Sequence, residues 1–149
     1  MKNHYIEELK NFTRAQELES RVIFTGSKTS PAHLYALADI AVSASIRPEA
    51  FGRVAVEAQM MKTPIIATAH GGSLETVKDE ETGWLVPPDD ASAMAHTLQD
   101  ALTNRKNLAK MGELGRKWVL SHFTTETMCA AEFSAYEKIL SVPPTHNKE

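Results

Sequence analysis

Pro48-Glu49-Ala50-Phe51-Gly52-Arg53-Val54-Ala55-Val56-Glu57-Ala58-Gln59-Met60-Met61 joins an apolar, strand-like run at residues 39 to 45 to an apolar, helix-like run that begins near Arg53. Pro48 biases Arg47 away from helical backbone, so a loop is expected between the two. Gly52 falls where that loop should turn into the helix, and its lack of a β-carbon lets another molecule come close to the backbone. The first amides of a helix have no internal partners and carry partial positive charge, so an anion is favoured in front of them. Glu49 lies just before this point, and Glu57 lies one turn after Arg53 on the same side of the helix. A carboxylate with free oxygens accepts from two neighbouring hydroxyls, which is what a sugar diol presents. A phosphate-ready helix end flanked by two carboxylates describes a nucleotide-sugar site. The same glutamates could simply complement the helix dipole, and the pattern alone leaves both readings open.

Outward from this stretch, strands and helices alternate. Residues 4 to 19 carry Tyr5, Leu9, Phe12 and Leu18 among many charges and predict a helix, with Asn11 and Thr13 as interruptions. Arg21-Val-Ile-Phe-Thr-Gly26 predicts a buried strand closed by a turn. Ser30-Pro31 reads as a cap followed by the first position of a helix. Its apolar face would be His33, Leu34, Leu37 and Ala38. Residues 40 to 45 predict a second strand. Thr63-Pro64-Ile65-Ile66-Ala67-Thr68-Ala69 predicts a third, with Pro64 at its beginning, where a missing N–H is tolerated. His70-Gly71-Gly72 ends that strand, and Ser73 would cap a short helix through Val77. Residues 81 to 88 read as a turn and a short extended piece. Asp89 or Asp90 would cap a helix running to about residue 102. Residues 105 to 121 and 124 to 140 predict two more amphipathic helices, with Phe123 and Thr124 between them. The tail after Val142 is Pro-rich and polar and is expected to be disordered.

This alternation predicts an α/β fold: a Rossmann-like parallel sheet with flanking helices. Ligands of such sheets bind beyond the carboxyl ends of the strands. Gly26, Gly52 and Gly71-Gly72 each follow a predicted strand, so parallel strands would gather these loops on one edge.

The length of 149 residues suits one domain, read as residues 1 to 142 with a tail at 143 to 149. An apolar fraction of 42% and a charged fraction of 23% are those of an ordinary globular protein. Net charge is -3 with no basic block, so neither nucleic acid nor an anionic membrane is expected as a partner through bulk charge. Cys129 is the sole cysteine, which excludes an intrachain disulfide and a cysteine metal cage and is compatible with a reducing, cytoplasmic setting. The opening Met1-Lys-Asn-His-Tyr-Ile-Glu-Glu is too polar to read as a signal peptide, and no apolar run reaches the roughly 18 residues that span a bilayer. His33, His96 and His122 have no ligand spacing, so no zinc site is expected. Ser43, Ser45 and Ser73 lack a paired His and Asp in a nucleophile elbow, which argues against a hydrolase. No glycine pattern forms a dinucleotide fingerprint or a P-loop.

Glu49, seven intervening residues and Glu57, with Phe51-Gly52 inside, resembles the paired-glutamate motif of retaining GT-B glycosyltransferases, most closely family 4. Val22-Ile-Phe-Thr-Gly26 and Ala36-Leu-Ala-Asp39 fit the same ordered pattern. So do Pro64-Ile-Ile-Ala67 through Gly71-Gly72-Ser-Leu-Glu75, and Thr82-Gly83-Trp-Leu-Val-Pro-Pro-Asp89. The resemblance implies that Glu57 binds the ribose hydroxyls of a nucleotide and that Glu49, in the catalytic position, holds hydroxyls of the donor sugar. It places the backbone of Phe51, Gly52 and Arg53 against sugar and diphosphate, Thr25 and Gly26 around the base, and His70 and Gly71 beside the donor. It implies transfer of a hexose from a UDP-, GDP- or ADP-sugar to a glycan or lipid acceptor, with no metal and no other cofactor. The expected setting is synthesis of cell-surface polysaccharide or lipopolysaccharide, in the cytoplasm or peripherally at the inner membrane face.

GT-B enzymes have two Rossmann-like domains, and this sequence resembles only the last part of the second, donor-binding one. The acceptor-binding N-terminal domain, the first strand of the donor domain, and the loop that supplies an Arg and a Lys to the diphosphate have no counterpart in it. Lys10 and Arg14 lie in a helical context and do not fit that pair. The expectation is therefore an incomplete C-terminal half that meets its acceptor through another domain. The alternative is a non-catalytic, truncated module that binds a nucleotide sugar or self-associates as a homo-oligomer through an exposed sheet edge. Several residues also have plain structural readings: Arg53 as a solvated helix residue, His70 as a loop histidine, Cys129 as a structural residue in a helical stretch, and Trp84 and Trp118 as core or interface.

Overall fold

The structure, a computed structural model, describes residues 2 to 141. The tail expected to be disordered lies outside the described residues. The chain divides into two compact units, Met1–Pro31 and Ala32–Glu149.

The first unit holds one helix, α1 (Lys2–Ala15). Neither Asn11 nor Thr13 interrupts it, because the Thr13 hydroxyl turns back and donates to the Leu9 carbonyl at 2.8 Å. A turn follows, with Glu17 at a positive φ of 56° and the Leu18 amide donating to the Thr13 carbonyl. Residues 21 to 26 form no strand, contrary to the sequence-based expectation. The only sheet among the described residues joins three later strands, so this run has no neighbouring strand with which to build a ladder, and the Arg21 and Val22 amides turn back to the Leu18 carbonyl instead. Val22, Ile23 and Phe24 are exposed.

The second unit begins with α2 (Ala32–Leu37), one residue after Pro31. The expected apolar face is corrected here: Leu34 and Leu37 are exposed, and Tyr35 is the α2 side chain that packs against the core. A helix of six residues makes under two turns and brings few side chains inward. Strands β1 (Ala41–Ser43), β2 (Ile65–Thr68) and β3 (Gly83–Val86) pair in parallel in that spatial order, with Ala41 opposite Ile65 and Ile65 opposite Gly83. β2 is central, and all four of its residues are buried, as a parallel strand covered on both faces requires. The missing N–H of Pro64 falls at its entry, while the Pro64 carbonyl accepts from the Ala41 amide at 2.9 Å.

Helix α3 (Arg53–Met60) follows β1, and the short α4 (Ser73–Thr76) follows β2. α5 (Ala91–Thr103) follows β3, capped by the Asp90 carboxylate, which accepts from the Ala93 amide at 2.8 Å. α6 (Arg105–His122) and α7 (Thr125–Ser141) complete the unit, with Phe123 and Thr124 at the bend. The core gathers Ala41, Ala55, Ala58, Ile65, Ala67 and Val77, with Val54 and Leu85 against it. α6 is tied to the far end of α3 by Arg116, which donates to the Met60 carbonyl at 2.8 Å, and by the Lys62–Glu113 ion pair at 2.6 Å. Among the described residues, no helix is long and apolar enough to cross a membrane.

Candidate functional site

Because β1 and β2 run parallel, the loops that leave their carboxyl ends emerge on one edge. Three hydrogen bonds join the two loops, and a fourth braces the first of them from within. The Thr68 hydroxyl donates to the Ser45 carbonyl at 2.8 Å, and the His70 Nε2 meets the same carbonyl at 2.8 Å. The Gly72 amide donates to the Glu49 carbonyl at 2.8 Å. The Ser45 hydroxyl donates to Glu49 Oε1 at 2.5 Å, which orients that half-buried carboxylate and leaves its second oxygen for another donor. With Nε2–H donating to Ser45, His70 Nδ1 is an acceptor; it is buried and lacks a protein partner.

The glycines make this contact possible. A β-carbon on Gly72 would run into the backbone of Phe51, and one on Gly71 into that of Glu49. Gly52 stands at φ 78°, ψ 52°, a left-handed conformation that only glycine adopts freely, and it caps α3. Gly52 itself is buried against Thr76 and Ser73, while Phe51 and Arg53 on either side of it are exposed. Among the described residues, no side chain caps the α3 amides, and the first turn holds no acidic residue. The positive end of the helix is thus left without a local anion.

One turn along α3, Arg53 Nη2 meets Glu57 Oε1 at 2.7 Å. Arg53 is 82% exposed and Glu57 32% exposed, so the pair sits at the surface with the glutamate on its inner side. Tyr35 of α2 lies beside Glu57. Burial raises the pKa of the Tyr35 phenol, the charge and hydrogen bonding of Glu57 raise it further, and Arg53 opposes them. Gln59, fully buried, donates to the Ala55 carbonyl at 3.0 Å and to the Thr76 carbonyl at 2.9 Å, and so fastens α3 to α4.

The sequence-based candidates therefore separate into two sets. Glu49, Phe51, Gly52, Arg53, Glu57, His70 and Gly71 all belong to the two loops and to α3. Thr25 and Gly26 belong to the first unit, where the Thr25 hydroxyl donates to the Gly26 carbonyl at 3.3 Å. Gly26 keeps a positive φ of 67° but follows no strand, which corrects the expectation that its loop extends one. Sequence reasoning weighed Ser45 only as a nucleophile and passed over Thr68, Tyr35 and Gln59. The hydroxyl of Ser45, four residues before Glu49, was the available signal; the other three act across elements distant in sequence. Among the described residues, no group of three His, Cys, Asp or Glu side chains gathers as a metal site. The arrangement offers uncapped amides to a polyanion before α3, and the carboxylates of Glu49 and Glu57 can each accept from hydroxyl groups.

Comparison with known proteins agrees with this fold. Residues 3–118 match the profile of the family described as glycosyl transferases group 1. A GDP-mannose-dependent alpha-(1-6)-phosphatidylinositol monomannoside mannosyltransferase of Mycobacterium tuberculosis is 31% identical over 135 residues, covering 85% of this chain and 35% of the relative. The Anabaena protein HepE, solved in complex with UDP and glucose, superposes with a TM-score of 0.83 at 27% identity, covering 90% of this chain and 37% of that one. The C-terminal domain of a group 1 glycosyl transferase, LpcC, from Francisella tularensis superposes with a TM-score of 0.72 at 29% identity, covering 82% of this chain and 64% of that one. The chain thus spans about a third of the full-length relative. The expected α/β, Rossmann-like part of a GT-B glycosyltransferase is borne out in fold and family.

Proposed function

We infer, starting from the fact that the chain belongs to the glycosyl transferases group 1 family, that it is the donor-binding part of a retaining hexosyltransferase. The observation that carries the reading is the joined strand-end edge: among the described residues no side chain caps the amides at the start of α3, Glu49 precedes that start and is held by Ser45, and Glu57 follows it by one turn in an ion pair with Arg53. In this reading the diphosphate lies before the amides that open at Gly52 and Arg53. Glu57 exchanges its Arg53 partner for the ribose hydroxyls, and Glu49, oriented by Ser45, holds hydroxyls of the hexose. His70 and Gly71 line the donor's other side, and Phe51 backs the sugar. The freed Arg53 side chain faces the phosphates. Amide dipoles and a guanidinium stabilise the departing diphosphate without a metal or other cofactor.

The glycan or lipid acceptor is held by a further domain, consistent with relatives about three times as long. Product use in cell-surface polysaccharide or lipopolysaccharide, and action in the cytoplasm or at the inner membrane face, belong to the same reading. It is tested by isothermal titration of UDP and of GDP into the chain and into Glu57→Ala. One nucleotide binds the wild type, and the substitution weakens it about ten-fold or more, the loss expected for hydrogen bonds to a charged group. Binding of neither nucleotide, or equal binding to both proteins, would contradict the reading.

A second reading, a self-associating module without catalysis of its own, is favoured by the open edge of β1. Among the described residues β1 has a strand partner on one side only, and Val42 within it is 44% exposed. Sedimentation velocity over a range of concentrations separates the two: a monomer throughout removes this reading.

A further inference from the structure

The loop that carries the proposed donor contacts is held from two sides, and one of them lies on a different part of the chain. On the first side the backbone of Phe51 rests on Gly72 so closely that no β-carbon fits. On the second, the ring of Phe51 meets the edge of Phe123 with centroids 5.8 Å apart and planes at 71°. Such an edge-to-face arrangement is an attractive, directional aromatic contact.

Phe123 is built as a fixed post. Its amide donates to the Val119 carbonyl at 2.9 Å, closing α6. Directly after it, the Thr124 hydroxyl accepts from the Thr127 amide at 3.2 Å, opening α7. Behind its ring stands Trp118, edge-on at 5.8 Å and 80°. Trp118 is in turn covered by the His122 ring at 3.6 Å and by the Lys78 ammonium at 4.1 Å. Beside the two phenylalanines is an open pocket of 350 Å³ reaching to Met128, so little else packs against the Phe51 ring there.

We propose that Phe123 is a positioning residue for the donor loop: by holding the Phe51 ring, the bend between α6 and α7 sets the direction in which the Gly52 and Arg53 amides face. The effect on ligand rests on the reading of those amides as the diphosphate site. The clamp itself does not. Gly52 is the hinge that makes the clamp matter, since its left-handed backbone is one that glycine leaves freely when its neighbours are released.

The test uses the whole chain, labelled with 15N, as wild type, Phe123→Leu, Phe123→Ala and Phe123→Tyr. Phe123→Leu keeps apolar bulk at the bend without the aromatic edge, and so remains informative if Phe123→Ala does not fold. In Phe123→Leu the amide resonances of Phe51, Gly52 and Arg53 move, and affinity for UDP or GDP falls about two- to ten-fold, the range for loss of one aromatic pair. In Phe123→Tyr both stay near wild type, while thermal midpoints report any general loss of stability separately. Unmoved Phe51, Gly52 and Arg53 amides in Phe123→Leu would overturn the inference. If the amides move but no protein binds either nucleotide, the clamp stands and the donor-site reading fails.

Discussion

Ile65 and Ile66 in β2 have no solvent exposure at all, whereas Ile23, in another short run of β-branched and aromatic residues, is 84% exposed. The two runs differ little in composition. They differ in what flanks them: β2 has β1 on one side and β3 on the other, and α3 packs on its face, while residues 21 to 26 have no strand beside them among the described residues. A strand is a collective object, and its side chains are buried only where its backbone has partners. The functional edge inherits this. The loops after β1 and β2 are joined because their strands are paired, and Gly26, which follows an unpaired run, has no such anchor.

The contrast makes a large and simple prediction. Ile65→Ala removes a wholly buried side chain from the central strand and should cost about 2–5 kcal/mol, measured by urea unfolding. Ile23→Ala should change stability by less than about 0.5 kcal/mol. Comparable losses at the two positions would break the comparison. A smaller effect sharpens it at the site itself. Gly72→Ala places a methyl group against the Phe51 backbone and should cost about 1–3 kcal/mol through overpacking, with loss of nucleotide binding because the 48 to 52 loop must move. Unchanged affinity in Gly72→Ala would show that the packing of the two loops does not matter to the ligand.

The smallest effect is spectroscopic. Burial and the adjacent Glu57 carboxylate hold the Tyr35 pKa above the usual tyrosine range. The folded value exceeds the unfolded one, so this contribution to stability is complete below the unfolded pKa and is lost as the pH rises through the folded one. In an ultraviolet titration of phenolate formation, Tyr35, identified by its absence in Tyr35→Phe, should ionise later than an exposed tyrosine. Glu57→Gln should move its midpoint down, since a negative neighbour has been removed. An unmoved midpoint would place the two groups apart.

Much of this architecture was legible one residue at a time. Pro64 marked the entry to β2 because a missing N–H is harmless there, Asp90 capped α5, and the Gly52 and Gly71-Gly72 loops came together as parallel strands require. The remainder depended on partners far away in the chain. The run at 21 to 26 has the composition of a strand, but composition does not supply a neighbour. Leu34 and Leu37 have the spacing of a helix face, yet the core lies under Tyr35. Ser73 has the chemistry of a cap, but Gly72 takes that position because only a residue without a side chain fits against Phe51. Thr68 and Gln59 matter to the site through bonds that cross between loops or helices, and no local pattern encodes these.

The central claim is that the opening of α3 and Glu57 grip one nucleotide between them. A crystal structure of the chain with UDP or GDP tests it most directly. The account predicts phosphate oxygens within hydrogen-bonding distance of the Gly52 or Arg53 amide, ribose hydroxyls on the Glu57 carboxylate, and the Arg53–Glu57 ion pair broken. A nucleotide bound elsewhere, with that ion pair intact at 2.7 Å, would contradict it.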